Sequence, residues 1–171
     1  LKKGQVDITG SILKTKDREA FLNYLDPPYA NAKQQFYFAK SKPVHIKRFS
    51  DLYPYEIAIQ TGAKHFAQFD NNQDLRRKFV NEYEHAFHML TKNRIDFVLG
   101  SDFEMDYIIR VNGWHKDVAK TKFNVSEGQY SFFALSKKSS LTAHIPQLNA
   151  HLKGLIDDGV VEAIFRNYRL E

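Results

Sequence analysis

The spacing of apolar residues divides the chain into short strands and amphipathic helices. Aromatic and β-branched runs bounded by Pro, Gly, Asn, Asp or Ser predict strands at residues 34–39, 55–60, 95–99 and 130–135. Apolar residues at helical spacing predict three helices. Their apolar faces are formed by Phe79, Val80, Tyr83, Phe87 and Leu90; by Ile145, Leu148, Leu152, Leu155 and Ile156; and by Val160, Val161, Ile164, Phe165 and Tyr168. This alternation predicts an α/β fold with a largely parallel sheet.

A short internal repeat accompanies this pattern. Residues 1–8 match residues 90–97 in type at nearly every position, and Gly-Ser follows each copy. The repeat predicts a helix end, a left-handed Gly or Asn, and then a short strand, after which Gly-Ser opens a turn. It indicates either chance similarity or two lobes built on one plan. Asp7 and Asp96 take equivalent places in it, which favours structural roles over an acid–base pair.

Composition narrows the class of protein. The chain has 171 residues, of which 43% are apolar, so it can bury a core. Its 25 Lys and Arg and 20 Asp and Glu give a formal net charge of +5, but the basic residues are scattered, which argues against nucleic-acid binding. The chain has no cysteine, which excludes disulfides, thiolate zinc sites and thiol catalysis. No apolar run approaches the roughly 18 residues of a membrane span.

The most informative local unit joins the strand at residues 55–60 to a predicted helix that contains Phe69. Between them lies Thr61-Gly62-Ala63, where glycine permits a tight turn. A helix that starts at such a corner presents N–H groups and a positive dipole end to a carboxylate or phosphate. The alternative interpretation of the same residues is a turn with a structural role only.

Arg18 is the second candidate for anion binding. Thr15 is a good N-cap, which places Arg18 at the third helical position, where the helix dipole disfavours a cation. An anionic partner is therefore expected. It is either a ligand carboxylate gripped bidentately or a neighbouring Asp17 or Glu19.

No motif predicts catalysis, a metal or a cofactor. His85 and His88 lie three residues apart, but no complementary ligand pattern accompanies them. The sequence carries no GxSxG, P-loop, GxGxxG or Ser-x-x-Lys signature.

Four passages resemble, in order along the chain, motifs of the family 3 extracellular solute-binding proteins, the periplasmic proteins that bind polar amino acids. They are Gly4-x-Val6-Asp7-Ile8 with Thr15-x-x-Arg18 and Asp26-Pro27-Pro28-Tyr29; Ser50-Asp51-Leu52 with residues 57–62; residues 93–99; and residues 155–164. The resemblance implies a two-lobed, type II periplasmic-binding-protein-like α/β fold that closes on a small ligand and lacks the N-terminal part of lobe one. Residues 1–42 would be the remainder of lobe one with the first crossover. Residues 43–127 would form lobe two, and residues 128–171 the second crossover with the C-terminal helices of lobe one.

The resemblance also implies a ligand site, with no metal and no cofactor. Arg18 matches the arginine that holds the ligand α-carboxylate, and Gly10 and Ser11 match a lobe-one turn that offers it backbone groups. The remaining matches are Thr61, Gly62, Ala63 and Lys64 at the start of a lobe-two helix, and Ser101 with Asp102 where the family places the carboxylate for the amino group. Ala63-Lys64 lacks the hydroxyl side chain that the family prefers there.

The function implied is that of a non-catalytic periplasmic protein. It would capture a small carboxylate-bearing ligand, an amino acid or a related compound, for an ABC-type permease. An incomplete lobe one would leave a strand edge open for pairing between chains. The alternative is a ligand-sensing module of a membrane receptor or envelope protein, in which a membrane span would follow Glu171. Dehydratase chemistry on this fold would need a titratable cluster, and the sequence points to none.

Overall fold

The computed structural model describes residues 1–124 and 128–170 and divides the chain into two compact units. Unit 1 comprises Leu1–Ala32 and Gln129–Asn167, and unit 2 comprises Lys33–Gly128 and Tyr168–Glu171. The chain thus enters unit 2 after residue 32, and residues 168–171 also belong to unit 2. The predicted limit between lobe two and the second crossover, at residues 127 and 128, borders residues 125–127, which lie outside the described residues. Glu171 also lies outside them.

The described residues form nine strands and six α-helices. The strands are β1 (Ile8–Leu13), β2 (Leu22–Tyr24), β3 (Ala30–Ala32), β4 (Gln34–Ala39), β5 (Glu56–Gln60), β6 (Arg76–Val80), β7 (Phe97–Ser101), β8 (Val118–Asn124) and β9 (Gln129–Ser136). The helices are α1 (Lys16–Glu19), α2 (Ala67–Asp70), α3 (Tyr83–Thr91), α4 (Asp102–Val111), α5 (Ile145–Asp157) and α6 (Val160–Tyr168).

Unit 1 is built around β9, which pairs antiparallel with β1, β2 and β3. Its buried core is small and consists of Leu25, Leu135 and Leu152, the last from α5. Helix α6 forms at the predicted residues, but its apolar face is not buried within the described residues, because Ile164 is 53% exposed and no residue of that helix is fully buried. Leu155 of α5 is exposed as well.

Unit 2 is a five-stranded sheet in the order β6-β5-β7-β4-β8. Side chains alternate between its two faces, so Tyr37 belongs to the core under α3 and α4 while Phe36 belongs to the core on the other face. The prediction of a largely parallel sheet is wrong. Among the described residues, only β5 pairs in parallel, with β6 and β7, whereas β4 runs opposite to both of its neighbours, β7 and β8.

The helix predicted from residue 79 begins later. Phe79 and Val80 belong to β6, where they pair with Ile59 and Gln60 of β5, and α3 begins at Tyr83. Pairing with a central strand decides the conformation here, and it leaves Phe79 60% exposed.

The internal repeat corresponds to a repeated local geometry. Gly4 and Asn93 have φ angles of 78° and 54°, and their N–H groups donate to the carbonyls of Leu1 and Leu90, each at 2.9 Å. A strand follows in both copies, as predicted, and begins four positions further on, which in the second copy is two residues later than the predicted residue 95. The Asp of each copy has a structural role, since Asp96 accepts the Glu56 N–H at 2.8 Å and Asp7 accepts the Ser139 hydroxyl at 2.6 Å.

Candidate functional site

In unit 1, Arg18 lies at the corner between β1 and α1. Thr15 caps α1, because its Oγ1 accepts the Arg18 N–H at 3.4 Å, and Arg18 is the third helical residue as predicted. The guanidinium Nη1 donates to the Leu13 carbonyl at 3.0 Å, and the Tyr24 hydroxyl donates to the same oxygen at 3.1 Å.

The guanidinium is half-buried and has no acidic partner among the described residues, in which no carboxylate lies within 4.0 Å of it. Glu19, one of the two candidate neighbours, pairs with Lys14 at 3.3 Å instead. Since a guanidinium has five N–H donors and the Leu13 contact uses one, the geometry leaves Arg18 suited to an external anion.

Gly10 and Ser11 do not form the predicted turn but a bulge inside β1. The β1–β9 register shifts between Thr9 and Ile12, and Ser11 has a φ of 50°. A bulge accommodates one extra residue and re-aims side chains. A Cβ on Gly10 would lie 3.0 Å from Phe133 Cε1, so the close approach of this ring favours glycine.

Tyr29 holds the bulge in place, and sequence analysis missed this role. Its hydroxyl accepts the Ser11 N–H at 2.8 Å and lies 2.9 Å from Ser11 Oγ. The N–H expected to meet a ligand is therefore engaged within unit 1. The available signal was the Asp26-Pro27-Pro28-Tyr29 passage, which contains the tyrosine but does not reveal its partner.

In unit 2, the predicted residues meet at a topological switch point. β5 connects to β6 on one side of the sheet, whereas β7 connects through α4 to β8 on the other side. β5 and β7 are parallel neighbours, with Ala58 beside Val98, so continuing this register places Thr61 beside Ser101. Open α/β sheets bind ligands in the crevice at the carboxyl ends of such strands.

Residues 61–64 form a turn, so the prediction that they start a helix is wrong. The Ala63 N–H donates to the Gln60 carbonyl at 3.1 Å, and Gly62 has a φ of 79°. The Thr61 N–H and the Thr61 hydroxyl both donate to the Val80 carbonyl, at 2.8 and 3.1 Å. Helix α2 begins only at Ala67, because the chain first buries His65 and Phe66.

Lys64 is exposed beyond this turn. The Thr61 and Ala63 N–H groups are already engaged and α2 begins only at Ala67, so residues 61–64 do not provide the predicted helix N-terminus for a carboxylate.

On the other side of the crevice, Ser101 is the N-cap residue of α4, without a side-chain capping hydrogen bond, and Asp102 is the first helical residue. Asp102 Oδ1 accepts the N–H groups of Lys33 and Phe103, each at 3.0 Å. Burial raises the pKa of Asp102 above its ordinary value, and these two N–H contacts act in the opposite direction. The carboxylate thus ties β4 to α4.

A buried imidazole–amide pair beside Ser101 was also missed. Gln34 faces Ser101 in the β4–β7 ladder, and its Oε1 lies 2.8 Å from His65 Nδ1. Since Oε1 only accepts, the ring carries a proton on Nδ1. Burial lowers the pKa of His65 to about 4, so the ring is neutral at pH 7. Gln34 and His65 are far apart in sequence, and no spacing rule links them.

The histidines of α3 lie elsewhere in unit 2. His85 and His88 line a cavity of about 370 Å³ together with Lys92 and Arg94, whose charges disfavour a cation. In the described part of the chain, no three His, Cys, Asp or Glu side chains are placed to hold a metal ion. Trp114 packs on Phe87, with ring centroids 5.7 Å apart, which makes it a cover of the core. No helix in the same residues is long and apolar enough to cross a membrane.

Comparison with known proteins identifies the fold. The sequence matches no protein-family model and no curated protein. Among solved structures, an ancestral arginine-binding protein bound to arginine is 20% identical with a TM-score of 0.77, over 98% of this chain and 74% of that one. The substrate-binding protein of an amino acid ABC transporter is 19% identical with a TM-score of 0.76, over 98% and 73%.

A third solved structure is the ancestral amino acid-binding protein AncCDT-1, a precursor of cyclohexadienyl dehydratase. It is 19% identical with a TM-score of 0.75, over 99% of this chain and 71% of that one. The chain therefore has the α/β, periplasmic-binding-protein-like fold of amino-acid-binding proteins, as predicted. This fold agrees with the motif resemblance to family 3 solute-binding proteins.

Proposed function

We propose that this chain is a non-catalytic, extracytoplasmic solute-binding protein that captures a small carboxylate-bearing ligand, an amino acid or a related compound. The observation that supports this most strongly is the fold, which nearly the whole chain shares with amino-acid-binding proteins. Unit 1 would correspond to lobe one and unit 2 to lobe two.

Arg18 is the proposed partner of the ligand carboxylate. Its guanidinium is half-buried, is oriented by the Leu13 carbonyl, and has no carboxylate within 4.0 Å among the described residues. A bidentate pair with a carboxylate would use N–H donors beyond the one engaged with Leu13. The bulge at Gly10 and Ser11 supports this position, because Leu13 follows it on the same strand.

The unit 2 contacts are proposed at the carboxyl ends of β5 and β7. Thr61, Gly62, Ala63 and Lys64 would line one side of that crevice and Ser101 the other. Asp102 Oδ1 accepts two backbone N–H groups, so the groups proposed to face a ligand on this side are the Ser101 hydroxyl and Asp102 Oδ2.

The cellular role that fits is periplasmic delivery of the ligand to an ABC-type permease. One compared structure is the substrate-binding protein of an amino acid ABC transporter. No catalytic step is assigned to the chain. Two carboxyl groups near the crevice, Asp102 and Glu104, have raised pKa values. The main cause of the raised pKa is burial in both cases.

The first test is a thermal-shift screen of the purified protein against the standard amino acids, beginning with arginine, and against acetate, succinate and 2-oxoglutarate. A ligand at one hundred times its Kd stabilises the folded state by about 2.7 kcal/mol. We expect at least one compound to raise Tm. A screen without any stabilising compound would contradict the proposal.

The second test is Arg18→Gln, measured by calorimetry with the compound that the screen identifies. Loss of the charged partner should weaken binding by roughly 2–5 kcal/mol. Arg18→Lys should recover part of this binding free energy, because lysine restores the positive charge but not the paired N–H donors of the guanidinium. Arg166→Gln is the matched control, since Arg166 is an exposed arginine of α6. Equal affinities for Arg18→Gln and Arg166→Gln would remove Arg18 from the site.

A further inference from the structure

A cavity at the edge of the unit 2 sheet is separate from the β5–β7 crevice. It has a volume of about 610 Å³ and lies between β8, the outermost strand, and the segment at residues 43–47. Sites for small molecules typically enclose about 300–1,000 Å³. Strands β8 and β4 line it, and β7 separates them from β5.

The cavity has an apolar wall made by the second core of unit 2. Phe38, Val44 and Phe123 pack against that core and remain partly exposed where they line the cavity. Ile46 is buried beneath them at 6% exposure. A bound group with an apolar chain would remove this surface from water.

The rim is cationic. Lys47, Lys120 and Lys122 line the cavity, but Lys120 is neutralised by Asp106 at 2.6 Å. In residues 1–124 and 128–170, no carboxylate lies within 4.0 Å of the ammonium of Lys47 or Lys122. The local charge is thus positive and favours an anion.

The walls are held by hydrogen bonds that do not require a ligand. The Gln35 amide Nε2 donates to the Thr121 carbonyl at 2.9 Å and to its hydroxyl at 3.2 Å, which fixes β8. Asp51 Oδ2 accepts the Lys47 N–H at 3.0 Å, which fixes the opposite segment. The Asp51 side chain also pairs with Arg48, at 3.2 Å.

We propose that this cavity binds a small amphipathic carboxylate, with its chain against Phe38, Val44 and Phe123 and its carboxylate at Lys47 and Lys122. A purely apolar compound leaves the two ammonium groups without a partner. A small anion leaves the apolar wall exposed. The inference is independent of the proposed function, because it concerns different residues and does not require Arg18 or the β5–β7 crevice.

The probes are octanoate, octan-1-ol and acetate, which separate chain from charge. Binding to the purified protein is measured by calorimetry, and the site is located by amide chemical shifts in NMR. Octanoate should bind saturably at one site, at least tenfold more tightly than either octan-1-ol or acetate, with shifts in β8 and residues 43–47. Octan-1-ol binding as tightly as octanoate would overturn the proposal, as would shifts confined to other segments.

The variant Lys47→Gln/Lys122→Gln should weaken octanoate binding at least tenfold, because only the exposed cations change. Lys78→Gln/Lys116→Gln is the matched control, since both lysines are exposed in unit 2 outside the cavity. Val44→Trp should also weaken binding by filling the cavity. Retained affinity in the first variant, or an equal loss in the control, would show that the site is elsewhere.

Discussion

Two charged residues with the same predicted role have different surroundings in the fold. Arg18 and Asp102 were both predicted to contact a ligand. The Arg18 guanidinium donates to one backbone carbonyl and has no carboxylate within 4.0 Å in the described chain, whereas Asp102 Oδ1 accepts two backbone N–H groups. The sequence marks both as candidates, and the hydrogen-bond partners show a structural role for Asp102 Oδ1, while ligand contact by either residue stays a prediction.

His65 gives a pH-dependent prediction at this scale. Burial is the main cause that lowers the pKa of His65 from 6.5 to about 4. The negative charge of Asp70 raises this pKa, and the positive charge of Arg77 lowers it further. Between these pH values the unfolded chain binds more protons than the folded one, so stability falls as the pH falls through this window. The loss attributable to His65 approaches about 3 kcal/mol at the lower limit.

We therefore expect His65→Gln, which keeps a polar partner for Gln34, to remove the pH-dependent loss of stability that His65 causes. The difference in free energy of unfolding between wild type and variant should shrink from pH 7.5 to pH 4.5, measured by urea denaturation. His115→Gln is the control, because His115 is exposed in the same unit. Parallel pH curves for wild type and His65→Gln would contradict the assigned pKa.

At the scale of elements, Gly100 has a different structural role from the one that the sequence predicts. The repeat marked Gly100 as a turn residue, yet it lies inside β7, directly before α4. A Cβ there would lie 2.8 Å from Met105 Sδ, and Met105 is fully buried. The glycine is needed for the close packing of α4 on its preceding strand.

Gly100→Ala should lower the free energy of unfolding by about 1–3 kcal/mol, because the methyl overpacks against Met105. Gly154→Ala provides a control of opposite sign. Gly154 lies in α5, where an added methyl would meet no other atom within 4 Å, so alanine should gain roughly 0.5–1 kcal/mol of helix stability. Urea denaturation measures both. A neutral Gly100→Ala would show that Met105 can move aside without cost.

Elements with strong local patterns could be predicted from the sequence, and those decided by long-range pairing could not. Strand β4 and helix α5 begin at the predicted residues, because each has its own apolar pattern. β6 was missed, since its conformation comes from pairing with β5. The contacts of Tyr29 with Ser11 and of Gln34 with His65 likewise join residues 18 and 31 positions apart, which local spacing does not encode.

At the scale of the whole molecule, the end of the chain belongs to unit 2 although most of α6 belongs to unit 1. The connection depends on Asp106, which is almost fully buried. Asp106 accepts the Leu170 N–H at 2.9 Å, the Tyr37 hydroxyl at 2.8 Å and the Lys120 ammonium at 2.6 Å. Burial is also the main reason that the pKa of Tyr37 is raised well above its ordinary value, and Asp106 adds to it.

The matched pair Leu170→Pro and Leu170→Ala separates this hydrogen bond from packing. Both variants lose the leucine side chain, which packs against the core, but only proline also removes the N–H donor. Leu170→Pro should therefore lower the free energy of unfolding by about 1.5–3 kcal/mol more than Leu170→Ala, because a bond to a charged acceptor is lost. Hydrogen exchange should then show reduced protection in α4 and β8 of unit 2, with protection in β1 and β9 of unit 1 retained. Equal stabilities of the two variants would mean that Asp106 needs only Tyr37 and Lys120, and that the chain end contributes to unit 2 through apolar contact alone.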